Sequence, residues 1–383
     1  MLPTSSTERI ETLDILRGLA LFGMFVVHFH IHTPEAGGID DVVRTLVWRL
    51  VESKSHGTFA ILFGAGFAIL LRRADEQGRP LVARYLRRLA VLAVFGFMAH
   101  AFFGYNVLLG YAVWGVPLLL IRNWPARRLI LVAVLSAASL GLYHGATRAY
   151  LTLQGGPALV ESTYGARRTE AVSVNDALEA AETQPHYSVL LAARLRHMAW
   201  FYAQPFFFMP GATITLFIAG MLLVRRRLFE EPRVHTRLLA GMMIFGLVSW
   251  IADNWLRPLW GFGSLGLLRD QWLTFTYLAG ALLALGHMPG WLVRLRPIAN
   301  AGRMALTNYL LQIAILDLLF SGYALGLGQL RALYVPAAAV ACFAAEMVFS
   351  TIWLRNFHFG PAEWLWRSLT YGQVQPLRLS GDT

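Results

Sequence analysis

Residues 13–28 read LDILRGLALFGMFVVH, a helix-length apolar run that carries Asp14, Arg17 and His28 among its apolar side chains. An α-helix rises about 1.5 Å per residue, so Arg17 and His28 would lie roughly 16 Å apart along it. An arginine near a membrane edge can reach water. A histidine placed deeper must face protein or water, because lipid satisfies none of its polar atoms. His28 is therefore a candidate functional residue. Asp14 stands three residues before Arg17, the spacing of a same-face ion pair, and the plainer reading of these two is a pair that fixes the arginine at the membrane edge.

Outward from that run, the chain has 383 residues, 56% hydrophobic and only 14% charged, with a mean hydropathy of +0.51. Its apolar runs repeatedly reach the length needed to cross a bilayer of roughly 30 Å. They predict an all-α, polytopic membrane bundle of about ten transmembrane helices, near residues 13–33, 56–71, 82–103, 105–121, 128–146, 205–224, 237–256, 270–288, 298–320 and 331–354. The first run holds an internal arginine and no small-residue cleavage pattern precedes it, so it reads as a retained span and not as a removed signal peptide. The one cysteine, Cys342, lies inside an apolar run, which excludes disulfides and cysteine metal sites within one chain. The net charge of +11 comes from arginines clustered between apolar runs, where topology demands them. Membrane lipids with anionic headgroups, and not nucleic acid, are the partners this implies.

The arginine clusters fall on alternate connections: Arg72 to Arg88 after the second run, Arg122 to Arg128 after the fourth, Arg225 to Arg237 after the sixth, Arg294 and Arg296 after the eighth. By the positive-inside rule these connections and both termini are cytoplasmic. The expected organisation is a single membrane domain, 1–383. A five-helix half (13–146) leads to an extracytoplasmic loop (147–196), a second five-helix half (197–354), and an interfacial helix with its tail (360–383). Ser173, Asn175 and Asp176 precede an Ala/Leu/Glu stretch, which predicts one or two interfacial helices in the loop. Gly360 and Pro361 precede Glu363, Trp364, Trp366 and Arg367, which predicts a helix on the inner membrane surface with tryptophan anchors and a flexible remainder. Residues 62–66 (LFGAG), running to Arg72 and Arg73, echo residues 216–220 (LFIAG), running to Arg225 and Arg226. A parallel duplication would suit a transporter as well as an enzyme, although glycine-rich packing faces also recur in unrelated membrane helices.

Several groups could do chemistry. A membrane histidine can be a general base, a metal ligand or a hydrogen-bonded packing residue. His28, His30 and His32 are spaced two apart, about 200° around a helix, and cannot jointly grip a metal; no metal is expected. Lys54 is the one lysine among 33 basic residues and stands in the cluster Glu52 to Thr58 with His56. Lysine is the cation whose charge burial can tune, though a lysine at the outer edge also simply reaches water. Gly64 and Gly66 read as sites of close helix contact, since no phosphate-binding pattern surrounds them. His100, Tyr105, Asn106 and Tyr111 surround a tight external turn and could line an acceptor pocket, or serve as interfacial residues. Residues 302–312 (GRMALTNYLLQ) put Arg303, Asn308 and Gln312 into a spanning helix; Asn308 and Gln312 share a face, as polar faces that bond helices together also do.

Four segments carry a family resemblance: residues 13–23 (LDILRGLALFG), 62–66 (LFGAG), 302–312 (GRMALTNYLLQ) and 360–367 (GPAEWLWR). Along nearly its full length the chain resembles the YeiB-like membrane proteins, whose C-terminal half is a domain of unknown function. Its N-terminal helix is similar to those of the transmembrane acyltransferase superfamily, including heparan-α-glucosaminide N-acetyltransferase and the bacterial family-three membrane acyltransferases. The resemblance implies transfer of an acyl group, acetyl in the first place, from cytoplasmic acyl-CoA to an acceptor across the membrane. In the family-three enzymes an Arg, ten intervening residues and a His form the signature, and Arg17 and His28 fit it. Members most like this chain usually carry asparagine where His28 stands, and relatives carry a lysine matching Lys54.

On this reading His28 deprotonates an acceptor hydroxyl or amine. Arg17 and Arg303 bind the acyl-CoA donor, and Asn308 holds the thioester oxygen or orients the base. Lys54, His56, His100 and Asn106 receive the acceptor, a glycan or a lipid-linked molecule, with Asp14, Gln312 and Glu363 in support. The location implied is the bacterial cytoplasmic membrane, and a homodimer is left open. Two other readings stand beside the enzyme: a transporter or flippase of a small anionic or lipid-linked molecule, and a noncatalytic membrane partner.

Overall fold

A computed structural model describes residues 10–35, 37–105, 107–208, 211–260 and 271–379. In a bilayer the backbone must satisfy its own hydrogen bonds, and apolar runs without a closed barrel do so as helices. The regular structure is accordingly helical: α1 (Glu11–Ile31), α2 (Ile39–Leu50), α3 (Lys54–Glu76), α4 (Val82–Phe103), α5 (Val107–Gly115), α6 (Leu118–Ile121), α7 (Ala126–Glu182) and α8 (Tyr187–Ala203) in the first part of the chain. There follow α9 (Gly211–Arg225), α10 (Thr236–Trp260), α11 (Trp272–His287), α12 (Gly290–Arg294), α13 (Arg296–Arg303), α14 (Ala305–Phe320), α15 (Val335–Trp353) and α16 (Pro361–Tyr371). Among the described residues, six helical stretches are long and apolar enough to cross a membrane. The bent pair α13–α14 makes a seventh if it is one span, and three shorter apolar helices accompany them.

Helix α1 lies at the centre of this bundle. In α1, 78% of the apolar stretch is buried, against 11% in α10, and α1 packs against α3, α13, α14 and α15. Small residues permit the close approaches. A Cβ on Gly18 would overlap the carbonyl of Ile298, and one on Gly302 would overlap the carbonyl of Asp14, so the first and third family motifs are pressed together where α1 meets α13. Likewise Gly64 abuts the Phe217 backbone and Gly220 abuts the Ile61 carbonyl; the two echoing segments pack directly on each other as α3 and α9.

The expected span 298–320 is not one straight helix. It bends by 82° between α13 and α14, at Met304. A break exposes backbone N–H groups at the new helix start, and Glu363 of α16 meets them. Its Oε1 accepts from the Leu306 and Thr307 N–H groups at 2.6 and 3.1 Å, and its Oε2 accepts from the Thr307 hydroxyl at 2.5 Å. The Ala362 N–H donates back to that hydroxyl at 3.0 Å. A carboxylate at a helix N-terminus also opposes the positive end of the helix dipole.

Other expectations are redrawn. The run ending near 146 continues as helix to the break at Gly155 and Gly156, where Gly156 takes φ +71, and a second helical segment then reaches Glu182. The stretch 147–196 is thus mostly helix continuous with α7 and α8. Helix α2, amphipathic and tied by Asp40 to Arg331 at 2.9 Å and to the Leu333 N–H at 2.8 Å, was not expected. The tryptophans of α16 are bound to protein: Trp366 Nε1 donates to the Arg88 carbonyl at 3.0 Å and Trp364 Nε1 to that of Gln375 at 2.8 Å. The tail beyond α16 folds back, with the His358 N–H donating to Leu377 and the Leu379 N–H to Asn356.

Candidate functional site

A cavity of about 430 Å³ opens among α1, α3, α4, α5, α13, α14 and α16, within the range of small-molecule sites. On α3 its wall is one helical stripe, Phe59, Leu62, Phe63, Gly66, Phe67, Leu70 and Arg73, at the three- and four-residue spacings of a single face. Gly66 differs here from its expected role. A Cβ there would meet nothing within 4 Å: Gly64 makes the helix contact, and Gly66 widens the cavity.

Five arginines line it, Arg17, Arg73, Arg88, Arg303 and Arg367, one from each of five helices. The two acids on the wall are already engaged. Asp14 holds Arg17 at 2.8 Å, and Glu363 caps α14; burial pushes the Glu363 carboxyl up, against the pull of its bonds from Thr307 and Leu306. Arg88 lies over the Trp366 ring at 4.0 Å and Arg367 over Phe359 at 4.4 Å, which fixes two of the cations in place. The ring of positive charge suits an anion such as a phosphate.

Away from these arginines the wall becomes apolar and aromatic, ending at Met24, Phe59, Leu108, Tyr111 and Tyr309. Arg17, Met24 and His28 fall at seven- and eleven-residue spacings, within about 20° of one face of α1. His28 therefore stands one turn past the cavity's end. It is 2% exposed, its ring packed edge-on to Tyr105 at 4.5 Å and tilted against Tyr309 at 6.0 Å between centroids. Its Nδ1 has no hydrogen-bond partner among the described residues.

Arg17, Arg303, Asp14 and Glu363 thus meet at one cavity, with His28 beyond its far end. Asn308 and Gln312 do not line it. Asn308 Nδ2 donates to the Ala301 carbonyl at 3.0 Å and the Ser350 hydroxyl at 2.9 Å. Gln312 Nε2 donates to the Leu21 carbonyl at 3.3 Å and to Glu346 at 3.1 Å. Both tie α14 to its neighbours. His56 contributes its carbonyl, which accepts from the Tyr111 hydroxyl at 2.7 Å. Lys54 lies on a separate cleft of about 310 Å³, with Leu50 and Tyr277. His100 faces α8, its Nδ1 3.1 Å from the Tyr202 hydroxyl. Asn106 lies outside the described residues. No three His, Cys, Asp or Glu side chains converge on a metal-sized point among the described residues.

Sequence reading missed Arg73, Arg88 and Arg367 as cavity residues, since cationic helix ends look alike. It also missed Tyr309, and the buried ion pair of Arg194 with Asp317 at the other end of α14, where Asp317 accepts from Ser321 at 2.7 Å and Tyr323 at 2.6 Å.

Among the described residues the protein is helical, with several helices long and apolar enough to cross a membrane, and part of it is similar to a membrane acetyltransferase family. Residues 9–151 match the family described as heparan-alpha-glucosaminide N-acetyltransferase, catalytic, and residues 223–373 the family described as protein of unknown function (DUF418). The likeness to YeiB runs along nearly the whole chain: it is 29% identical to uncharacterized protein YeiB of Escherichia coli (strain K12) over 406 residues, covering 96% of this chain and 98% of that one. It is also 29% identical to uncharacterized protein YxaH of Bacillus subtilis (strain 168) over 395 residues, 98% of this chain and 97% of that protein. An uncharacterized 39.9 kDa protein of Bacillus acidopullulyticus is 27% identical, with 99% of both chains covered. No solved structure matches.

Proposed function

We propose that the protein is a membrane-embedded acyltransferase that takes an acyl group, acetyl in the first place, from cytoplasmic acyl-CoA. It passes the group to an extracytoplasmic or lipid-linked acceptor, with a glycan the class the resemblance favours. The observation that carries this reading is the cavity itself: five arginines at one end, an aromatic passage, and His28 one turn past the other. A phosphate-bearing head and a long thin arm ending in a thioester have that distribution of charge and apolarity.

On this reading the long, broken and short apolar helices each count as a crossing, ten together, and the positive-inside rule favours the arginine-lined mouth and both termini on the cytoplasmic face. The bacterial relatives support the bacterial cytoplasmic membrane as its location. Acyl-CoA supplies an acyl group activated as a thioester. Arg17, Arg88 and Arg303 bind its phosphates, Asp14 orients Arg17, and Glu363 fixes the α13–α14 break that carries Arg303. His28 takes the proton of the acceptor, which enters from the opposite face past the side where His56 and His100 stand. Asn308 and Gln312 hold the helix that carries this wall, and Lys54 serves its own cleft.

Calorimetry with acetyl-CoA on the detergent-purified protein tests the reading. The wild-type chain should bind, and Gly66→Leu, which fills open space, should lose binding while melting at the same temperature. A wild-type protein that ignores acetyl-CoA, or a Gly66→Leu protein that binds it equally well, defeats the assignment; a copurifying small molecule that is not a CoA species would favour transport.

A further inference from the structure

Tyr309 is 5% exposed, lines the inner end of the cavity, and its hydroxyl has no hydrogen-bond partner among the described residues. Buried polar atoms in native proteins are nearly always paired, and lipid offers nothing to pair with. The neighbouring tyrosine shows the contrast: the Tyr111 hydroxyl is committed to the His56 carbonyl. So does Asn308, the residue whose sequence position first suggested a thioester contact, because both its donor contacts go to Ala301 and Ser350. What remains at this end is a free donor on Tyr309 and, 6.0 Å away between ring centroids, a histidine with an unpaired Nδ1. Both side chains stand at the cavity's far end, where acyl transfer asks for a base and an oxyanion donor.

We infer that the Tyr309 hydroxyl is a catalytic group of the acyl transfer, donating a hydrogen bond to the thioester carbonyl oxygen. The inference rests on the acyl-CoA reading. His28 takes the proton from the acceptor hydroxyl or amine as that oxygen or nitrogen bonds the thioester carbon. The carbonyl oxygen gains negative charge, and Tyr309 stabilises it there without giving up its own proton. When the C–S bond breaks, its electron pair leaves on sulfur, and His28 returns the proton to that thiolate. The products are acylated acceptor and free CoA thiol.

The test is Tyr309→Phe, which keeps the ring and removes only the hydroxyl. Inverted membrane vesicles, with their cytoplasmic face outward, would be given labelled acetyl-CoA and label incorporation followed; the purified variant would be titrated with acetyl-CoA and melted. Transfer should fall by about 10² to 10³, with acetyl-CoA affinity within about twofold of wild type, since this contact strengthens only as charge develops. The melting temperature should stay level or rise, because the deleted group is an unpaired polar atom. Undiminished transfer in Tyr309→Phe overturns the assignment and leaves the acyl-CoA reading standing. A lowered melting temperature with lost acetyl-CoA binding overturns it too, by making the hydroxyl structural. If wild-type vesicles neither bind nor transfer, the acyl-CoA reading itself fails and takes this role with it.

Discussion

Replacing Glu363 with alanine should uncouple α16 from the start of α14 and lower both stability and donor affinity. The carboxylate accepts from the Leu306 N–H at 2.6 Å, the Thr307 N–H at 3.1 Å and the Thr307 hydroxyl at 2.5 Å. Two of these donors begin a helix and have no intrahelical acceptor. A hydrogen bond to a charged group contributes about 1.5–3 kcal/mol, and three that share one carboxylate do not add in full, so the loss comes to about 3–5 kcal/mol. That is far above the roughly 0.5 kcal/mol of an ordinary surface change. The effect reaches the site because Arg303 is the last residue of α13, directly before the break that Glu363 stabilises. Thermal unfolding followed by tryptophan fluorescence, with an acetyl-CoA titration alongside, would measure both. Glu363→Gln keeps one acceptor oxygen and should fall between wild type and alanine. If Glu363→Ala melts and binds acetyl-CoA as the wild type does, the carboxylate is not a cap and the reasoning is wrong.

With Cys342 replaced, single cysteines at positions 79 and 233 should resist an impermeant thiol reagent in intact cells while one at 164 is labelled; the reverse pattern would turn the proposed direction of transfer around. Arg17→Gln and Arg303→Gln should each weaken acetyl-CoA binding by about tenfold or more, the worth of a charge-assisted contact to phosphate, and unchanged calorimetric affinity in a well-folded Arg17→Gln protein would leave that arginine a mere partner of Asp14. His28→Asn keeps hydrogen-bonding capacity but cannot take a proton, so folding and donor binding should persist while transfer drops by about 10² to 10⁴; full transfer of label in that variant would remove His28 as the base.

Much of the helix pattern, and one face of the site, could be read without coordinates. Apolar length dictates membrane helices because the bilayer leaves the backbone no other partner, and the eleven-residue step from Arg17 to His28 places both on one face of α1 because helical geometry is fixed. The family segments were legible for the same local reason. What the sequence left open was the meeting of faces. Arg72 and Arg73 are adjacent and chemically identical, yet Arg72 pairs with Glu230 at 3.0 Å while Arg73 lines the cavity. Gly64 and Gly66 stand two apart in one motif, and one touches α9 while the other borders open space. Asn308 and Tyr309 are neighbours about 100° apart on α14, one turned to α15 and the other to the cavity. Glu363 looked like part of a surface helix until the break at Met304 gave it two backbone donors to satisfy. Periodicity determines which residues share a face; only the long-range packing of helices decides whether that face meets another helix, lipid or a ligand's space.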